Sequence, residues 1–382
     1  MPRLFGERIR LPQVLAASLL CVFLAQCLWF ISRVPLAENE GLILQAGTAQ
    51  LHGQWMANSP QHSSLVSLLA AFPVLGKDTS DAYLMSRYRW MVRAAFLFMG
   101  VMLGGSLWYV ARRLYGNAGG YIALLLYIFS PFIIIRSSLL QPDIAAAWGA
   151  FGLIFTGIAV AHTLYAPREV VLWNWKRIVL LGISIGIAVG AQYSTVWLLL
   201  LTLVFMLWLA PVRRGAVIMI LVAACVVGAL VLSFTFVPHA MQMFGAMRHA
   251  AWAEVDLHQL VRPGSYRLIG HFFWDNSVPV LLLLIVALVA YVAWPRTRYF
   301  GTTAPLLAAL LCLFLSLIMP HTGGMLFFPV SLPFVYVFIA GVFTDLLETR
   351  YATAIAGGLV GAILVHGAAS AMGLLQLTHL TR

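Results

Sequence analysis

The chain has 382 residues, 62% of them hydrophobic and only 9% charged, with a mean hydropathy of +0.94. Soluble globular domains carry about 25% charged residues, so a water-soluble fold is excluded and lipid must be the solvent for most of the chain. The net charge of +11 does not mark a nucleic-acid binder, because the basic residues stand at the ends of apolar runs: Arg112-Arg113, Lys176-Arg177, Arg213-Arg214, Arg296 and Arg298. That is the positive-inside pattern of a membrane protein.

The first apolar run, 11–32, is too long for a cleavable signal and ends at Arg33 without a small-residue cleavage site. It reads as a retained first span. Since a span needs about 20 apolar residues, further spans are predicted at 91–110, 118–135, 144–164, 178–191, 195–210, 216–236, 278–294, 303–319, 325–343 and 354–375. The expected fold is all-α and polytopic, with about eleven spans in one transmembrane domain over 1–382. The fifth and sixth runs are short, and Lys176-Arg177 and Arg213-Arg214 flank them. Two flanking basic pairs belong on the same side, so the chain must go out and return, turning near Gly190–Ser194.

This places the N-terminus in the cytoplasm and the C-terminus outside, in a cytoplasmic (inner) membrane. Cytoplasmic segments then hold 13 of the 23 Lys and Arg and four of the 12 acids, a net +9, leaving +2 for the outer side. The cytoplasmic loops are short and contain no Gly-rich phosphate loop, which argues against an ATP-driven pump. Two outer loops are long, 33–90 and 237–277. Interfacial helices are expected at Glu40–His52, stopped by Gly53, then at Ser63–Leu75 and at Met241–Trp252. The four cysteines, Cys21, Cys27, Cys225 and Cys312, fall in apolar runs without metal or CxxC spacing and read as free, packed thiols.

Acids at membrane level are costly and therefore informative. Glu38 and Glu40 follow the first span, and Asp143 opens the fourth in Gln141-Pro142-Asp143. A carboxylate at that level can take a proton from an acceptor hydroxyl, or hold a divalent cation against a phosphate. The structural alternative is an N-cap at Asp143 and a helix N-terminus for the glutamates. Of the outer cations, Arg87, Arg89 and Arg93 read as snorkelling to headgroups. Arg136, Arg248, Arg262 and Arg267 remain candidates to hold a phosphate. His239, His249, His258 and His271 have no metal-binding spacing and read as scattered interfacial residues. The glycine pairs Gly104-Gly105, Gly119-Gly120 and Gly357-Gly358 read as sites of close helix contact.

The order of elements resembles the GT-C superfamily of lipid-phosphate-dependent glycosyltransferases, in the branch of protein O-mannosyltransferases and aminoarabinose transferases. The family's acidic pair after the first span is similar to Asn39-Glu40, and its Pro-rich stretch to Ser59-Pro60-Gln61-His62-Ser63-Ser64-Leu65. The basic turn after the second span looks like Ala111-Arg112-Arg113-Leu114-Tyr115-Gly116. Ser130-Pro131, Pro142-Asp143, the turn Ala188–Ser194 and Phe328-Pro329-Val330-Ser331-Leu332-Pro333 match later family features in order, so the likeness runs from residue 1 to about 345.

The resemblance implies transfer of a sugar from a polyprenyl-phosphate donor to an extracytoplasmic acceptor. Glu40 and Asp143 would be the catalytic carboxylates, with Glu38 in reserve. His62, Gln192, Arg248 and Arg267 would contact substrate, and membrane lipid would be the medium. The chain departs from the pattern at Asn39 for Asp, at Gln192 for the usual phosphate-binding Lys, and at Gly323-Gly324, near His321, for an Arg. The large C-terminal extracytoplasmic domain of many members has no counterpart in this sequence. These departures keep open a non-catalytic accessory subunit of a larger membrane complex. A transporter of lipid or lipid-linked sugar comes third, since inverted repeats and mid-span charges are lacking.

Overall fold

The computed structural model describes residues 11–52, 64–77, 88–165, 175–236, 255–319 and 327–380, and among them there are helices and no strands. In chain order the α-helices are α1 (Leu11–Arg33), α2 (Glu38–Leu51), α3 (Ser64–Ala71), α4 (Arg89–Ile128), α5 (Pro131–Ser138), α6 (Pro142–Thr163) and α7 (Trp175–Ala191). There follow α8 (Trp197–Leu209), α9 (Arg214–Phe236), α10 (Pro263–Asn276), α11 (Val278–Ala293), α12 (Phe300–Ile318), α13 (Phe327–Leu347) and α14 (Ala352–Leu380). Seven of the described helices are long and apolar enough to cross a membrane, or eight if α10 and α11, bent by 117° at their junction, count as one. Each segment predicted as a span falls on helix among the described residues, although 118–135 is broken at 129–130 between α4 and α5. The difference in number comes from α4, which merges two predicted spans, and from α7 and α8, which are short.

Glycine explains the merge. Within α4, Gly116 has φ 79° and ψ −171°, a left-handed backbone that side chains other than glycine rarely adopt. The chain reverses there: Tyr127 comes back against Gly104, and its hydroxyl donates to the Gly100 carbonyl at 2.6 Å. Ser130 then caps α5, accepting from the Ile133 amide at 3.4 Å, with Pro131 at the first helical position. Proline is favoured there because its missing N–H would have no partner anyway.

The short pair α7–α8 also reverses, as the flanking charges predict. Gln192 breaks the helix with extended backbone, φ −153° and ψ 124°. Gly149 and Gly152 of α6 abut Ala188 and Ser184 of α7, whereas Gly157 abuts Thr202 and Met206 of α8. Further along α6, Val160 and Leu164 share a buried cluster with Met206 and Ala210. Therefore α7 runs antiparallel to α6, and α8 runs parallel to it. Gly182, Gly186 and Gly190 meet Val227, Val231 and Leu232 in rising order, so α9 lies parallel to α7.

One contiguous buried core runs from Ala16 to Leu374 through all these helices. Among the glycine pairs, Gly104, Gly119 and Gly120 are closely approached, but Gly357 and Gly358 have nothing within 4 Å of a would-be Cβ. The expectation of close contact fails for that last pair, which lies on an open face of α14. The cysteines are free, with Cys27 and Cys312 buried, while Cys21 is exposed rather than packed.

Candidate functional site

The hairpin of α2 and α3 is held very close, since a Cβ at Gly47 would lie 2.1 Å from the Ser67 carbonyl oxygen. It sits against the end of α7, where Leu65 meets Gly190. The start of α6 and the Gln192 turn lie at the same end of the α6–α7 pair. Gly149 is six residues past Asp143 and Ala188 is four before Gln192, so each reaches that end within about two helical turns of 5.4 Å. Helices stand close to two of the predicted positions in this region: α2 is Glu38–Leu51, and α3 continues through a 3-10 turn at Phe72–Val74. Met241–Trp252 and Gly53 lie outside the described residues.

Glu40 and Arg93 form a fully buried ion pair, at 3% and 0% side-chain exposure. Arg93 donates from Nε to Oε1 at 2.9 Å and from Nη2 to Oε2 at 2.6 Å. This is the fork geometry that makes Arg–carboxylate pairs strong. Both groups make further bonds to the backbone. Arg93 Nη1 and Nη2 donate to the carbonyls of Val34 and Pro35, each at 2.9 Å. Glu40 Oε2 accepts from the Ala37 amide at 2.9 Å, and Oε1 from the Leu140 amide at 2.7 Å. Arg93 was expected to snorkel outwards; instead it is wholly enclosed, because a carboxylate and two carbonyls offset its desolvation. Arg89 donates to the Ser32 carbonyl at 3.0 Å, also inward.

Three residues past Leu140, Asp143 sits in the first turn of α6, where a negative charge complements the helix dipole. It is not the N-cap: that position is Gln141, with Pro142 next. Asp143 pairs instead with Arg136, whose Nη1 lies 2.7 Å from Oδ2. Arg136 also donates to the Gln141 side-chain oxygen and lies 4.8 Å above the ring of Phe132. Phe132 in turn meets Phe272 of α10 edge-on at 5.1 Å, and Phe272 stacks on Phe328 at 4.7 Å. Helix α10 is thereby tied to the Arg136–Asp143 pair. Asp143 is buried, but Arg136 keeps 30% of its side chain exposed, so this pair is open on one side.

The other predicted site residues are spread more widely. Glu38 and Arg267 are exposed, as are His258 and His271. Gln192 turns its amide nitrogen onto Ser194 Oγ at 2.7 Å, while its carbonyl accepts from Thr195 Oγ1 at 2.8 Å. His62, Arg248, Arg87, His239, His249, His321, Gly323 and Gly324 lie outside the described residues, as does most of the Pro-rich stretch. Among the described residues no three of His, Cys, Asp or Glu come together to hold a metal ion.

A polar knot beneath this region escapes the sequence reading. Ser130 Oγ donates to Asn276 Oδ1 at 2.9 Å, and Asn276 Nδ2 to the Tyr336 hydroxyl at 3.5 Å. Beside them His366 of α14 bonds Ser277 Oγ at 2.7 Å and the Leu126 carbonyl at 3.1 Å. A carbonyl can only accept, so Nε2 carries the proton and Ser277 donates to Nδ1. The signal available was a lone histidine in the middle of an apolar run.

No protein-family model matches the sequence, and no curated protein does. Solved structures do match. ArnT from Cupriavidus metallidurans, bound to undecaprenyl phosphate, superposes with a TM-score of 0.57 at 16% identity, over 91% of this chain and 62% of that one. The oligosaccharyltransferase AglB from Archaeoglobus fulgidus, in complex with an inhibitory peptide and a dolichol-phosphate, gives 0.54 at 12% identity, over 92% and 56%. The same archaeal enzyme tethered to an acceptor peptide with the NVT sequon gives 0.56 at 12% identity, over 96% and 55%. This chain therefore spans between half and two thirds of the length of the structures it matches. The protein is a multi-pass helical membrane protein with the GT-C fold.

Proposed function

We propose that the protein transfers a sugar from a polyprenyl-phosphate carrier to an acceptor on the outer face of the cytoplasmic membrane, its N-terminus inside. The observation that carries this reading is the half-open Arg136–Asp143 pair at the start of α6. A carboxylate and a guanidinium side by side supply what such a transfer needs. Asp143 takes the proton from the acceptor hydroxyl as its oxygen bonds the anomeric carbon. The bond from that carbon to the phosphate oxygen breaks, and Arg136 holds the departing polyprenyl phosphate through charge-assisted hydrogen bonds. Arg136 stands in for the cation that Gln192 does not provide. Glu40 is less suited to proton transfer, since both its oxygens already accept from protein donors.

The test is release of polyprenyl phosphate from polyprenyl-phosphate sugars by the full chain in lipid nanodiscs, with Asp143→Asn as comparison. Release by the wild type, abolished in the folded variant, supports the transfer. Release unaffected by Asp143→Asn refutes the assignment of the base. No release with any sugar donor and acceptor supports instead the accessory-subunit reading, which the Gln192 departure favours.

A further inference from the structure

We infer that Glu40 and Arg93 are positioning residues that set the geometry of the Arg136–Asp143 pair by clamping the Leu139–Gln141 turn. The inference rests on the transfer reading for its functional half only. Three chain segments meet at one buried carboxylate: the stretch after α1, the start of α4 and the turn before α6. Arg93 grips the Val34 and Pro35 carbonyls at 2.9 Å each and holds Glu40 by two bonds. Glu40 passes the constraint on through a 2.7 Å bond from the Leu140 amide.

That amide is the centre of the turn that carries the site. Leu139 and Gln141 are both extended, with ψ 158° and ψ 150°, and Gln141 donates its amide to the Leu139 carbonyl at 3.0 Å. On one side of the turn stands Arg136, near the end of α5; on the other stands Asp143, in the first turn of α6. Gln141 also accepts from Arg136. The separation of guanidinium and carboxylate thus depends on the path of three residues, and without Glu40 the middle one loses its anionic anchor. A carboxylate with both oxygens engaged and only 3% of its side chain exposed is well placed to hold backbone.

Single charge removals leave a buried unpaired charge and risk unfolding, so the decisive variant is the double replacement Glu40→Leu with Arg93→Met, which removes both charges and, unlike glutamine, leaves no acceptor for the Leu140 amide. Hydrogen exchange of the peptide covering 136–146 is measured on the full chain in nanodiscs, together with binding of undecaprenyl phosphate. The clamp predicts a folded double variant whose exchange at this peptide rises at least tenfold, and whose affinity for the lipid phosphate falls at least tenfold. Wild-type exchange in the double variant overturns the clamp. Faster exchange with unchanged affinity shows a purely structural bond and overturns the positioning role. A wild type that binds no lipid phosphate defeats the transfer reading alone, and the exchange result then decides the clamp by itself. Removing the exposed Arg296–Glu348 pair at the far end of the bundle is the control, and it should leave both readouts unchanged.

Discussion

Gly149 sits where α6 crosses α7, six residues past Asp143. Replacing it with alanine would place a Cβ 2.4 Å from the Ala188 nitrogen, 2.7 Å from its Cα and 2.9 Å from its Cβ. None of these atoms can swing aside, because all belong to helix backbone or its first side-chain carbon. The two helices must separate, and overpacking of this kind costs about 1–3 kcal/mol. Against that, alanine gains about 0.5–1 kcal/mol over glycine in a helix interior. Gly149→Ala should therefore lose up to about 2.5 kcal/mol net. Gly357→Ala is the internal reference: nothing lies within 4 Å of its Cβ, so only the propensity gain applies. The assay is thermal unfolding in nanodiscs followed by a thiol-reactive dye in a Cys21→Ser, Cys225→Ser background, where it reports exposure of the buried Cys27 and Cys312. A lower midpoint for Gly149→Ala and an equal or higher one for Gly357→Ala is expected. Equal midpoints for the two would show that α6 and α7 are not in backbone contact, and the shared end on which Asp143 and Gln192 are placed would go with it.

Breaking the buried pair with Glu40→Leu alone should cost about 3–5 kcal/mol, since it strands Arg93 in the core; the double variant should be more stable than either single one in the same unfolding assay. Asp143→Asn should lower sugar transfer by about 10²- to 10⁴-fold, the usual share of a general base, in a protein that still folds, because its partner Arg136 is 30% exposed and keeps contact with solvent. Reporters fused after Arg214 and within 264–275 should lie on opposite sides of the membrane, as the +9 and +2 charge split requires; the same side for both would undo the eleven-span topology.

Much of the fold can be read in the sequence because the bilayer enforces it. Apolar length gives the helices in order, and the basic pairs at 176–177 and 213–214 reveal the reversal at Gln192 that length alone would miss. Glycine pairs are less informative: Gly104 and Gly357 look alike locally, yet one is covered and the other open. The site is only partly legible. Asp143 and Glu40 stand out as acids at membrane level, but their partners do not. An arginine one turn into a span looks the same whether it reaches for headgroups or folds inward, and Arg93 meets Glu40 across 53 residues of sequence. Arg136 resembles any cation in the last turn of a short helix until the turn at Leu140 brings Asp143 to it. His366 lacks a local motif altogether, as its partners come from α10–α11 and α4.

The proposed transfer turns on the holding of a lipid-linked phosphate at Arg136. It is tested most directly by measuring undecaprenyl phosphate binding to wild type, Arg136→Gln and Arg136→Lys in nanodiscs. A hydrogen bond to a charged group contributes about 1.5–3 kcal/mol, so the glutamine variant should bind about 10- to 150-fold more weakly. Lysine, which keeps the charge but loses the fork, should fall between the two. Arg296→Gln, at the opposite end of the bundle, should bind as wild type does. Equal affinity for wild type and Arg136→Gln would contradict the claim.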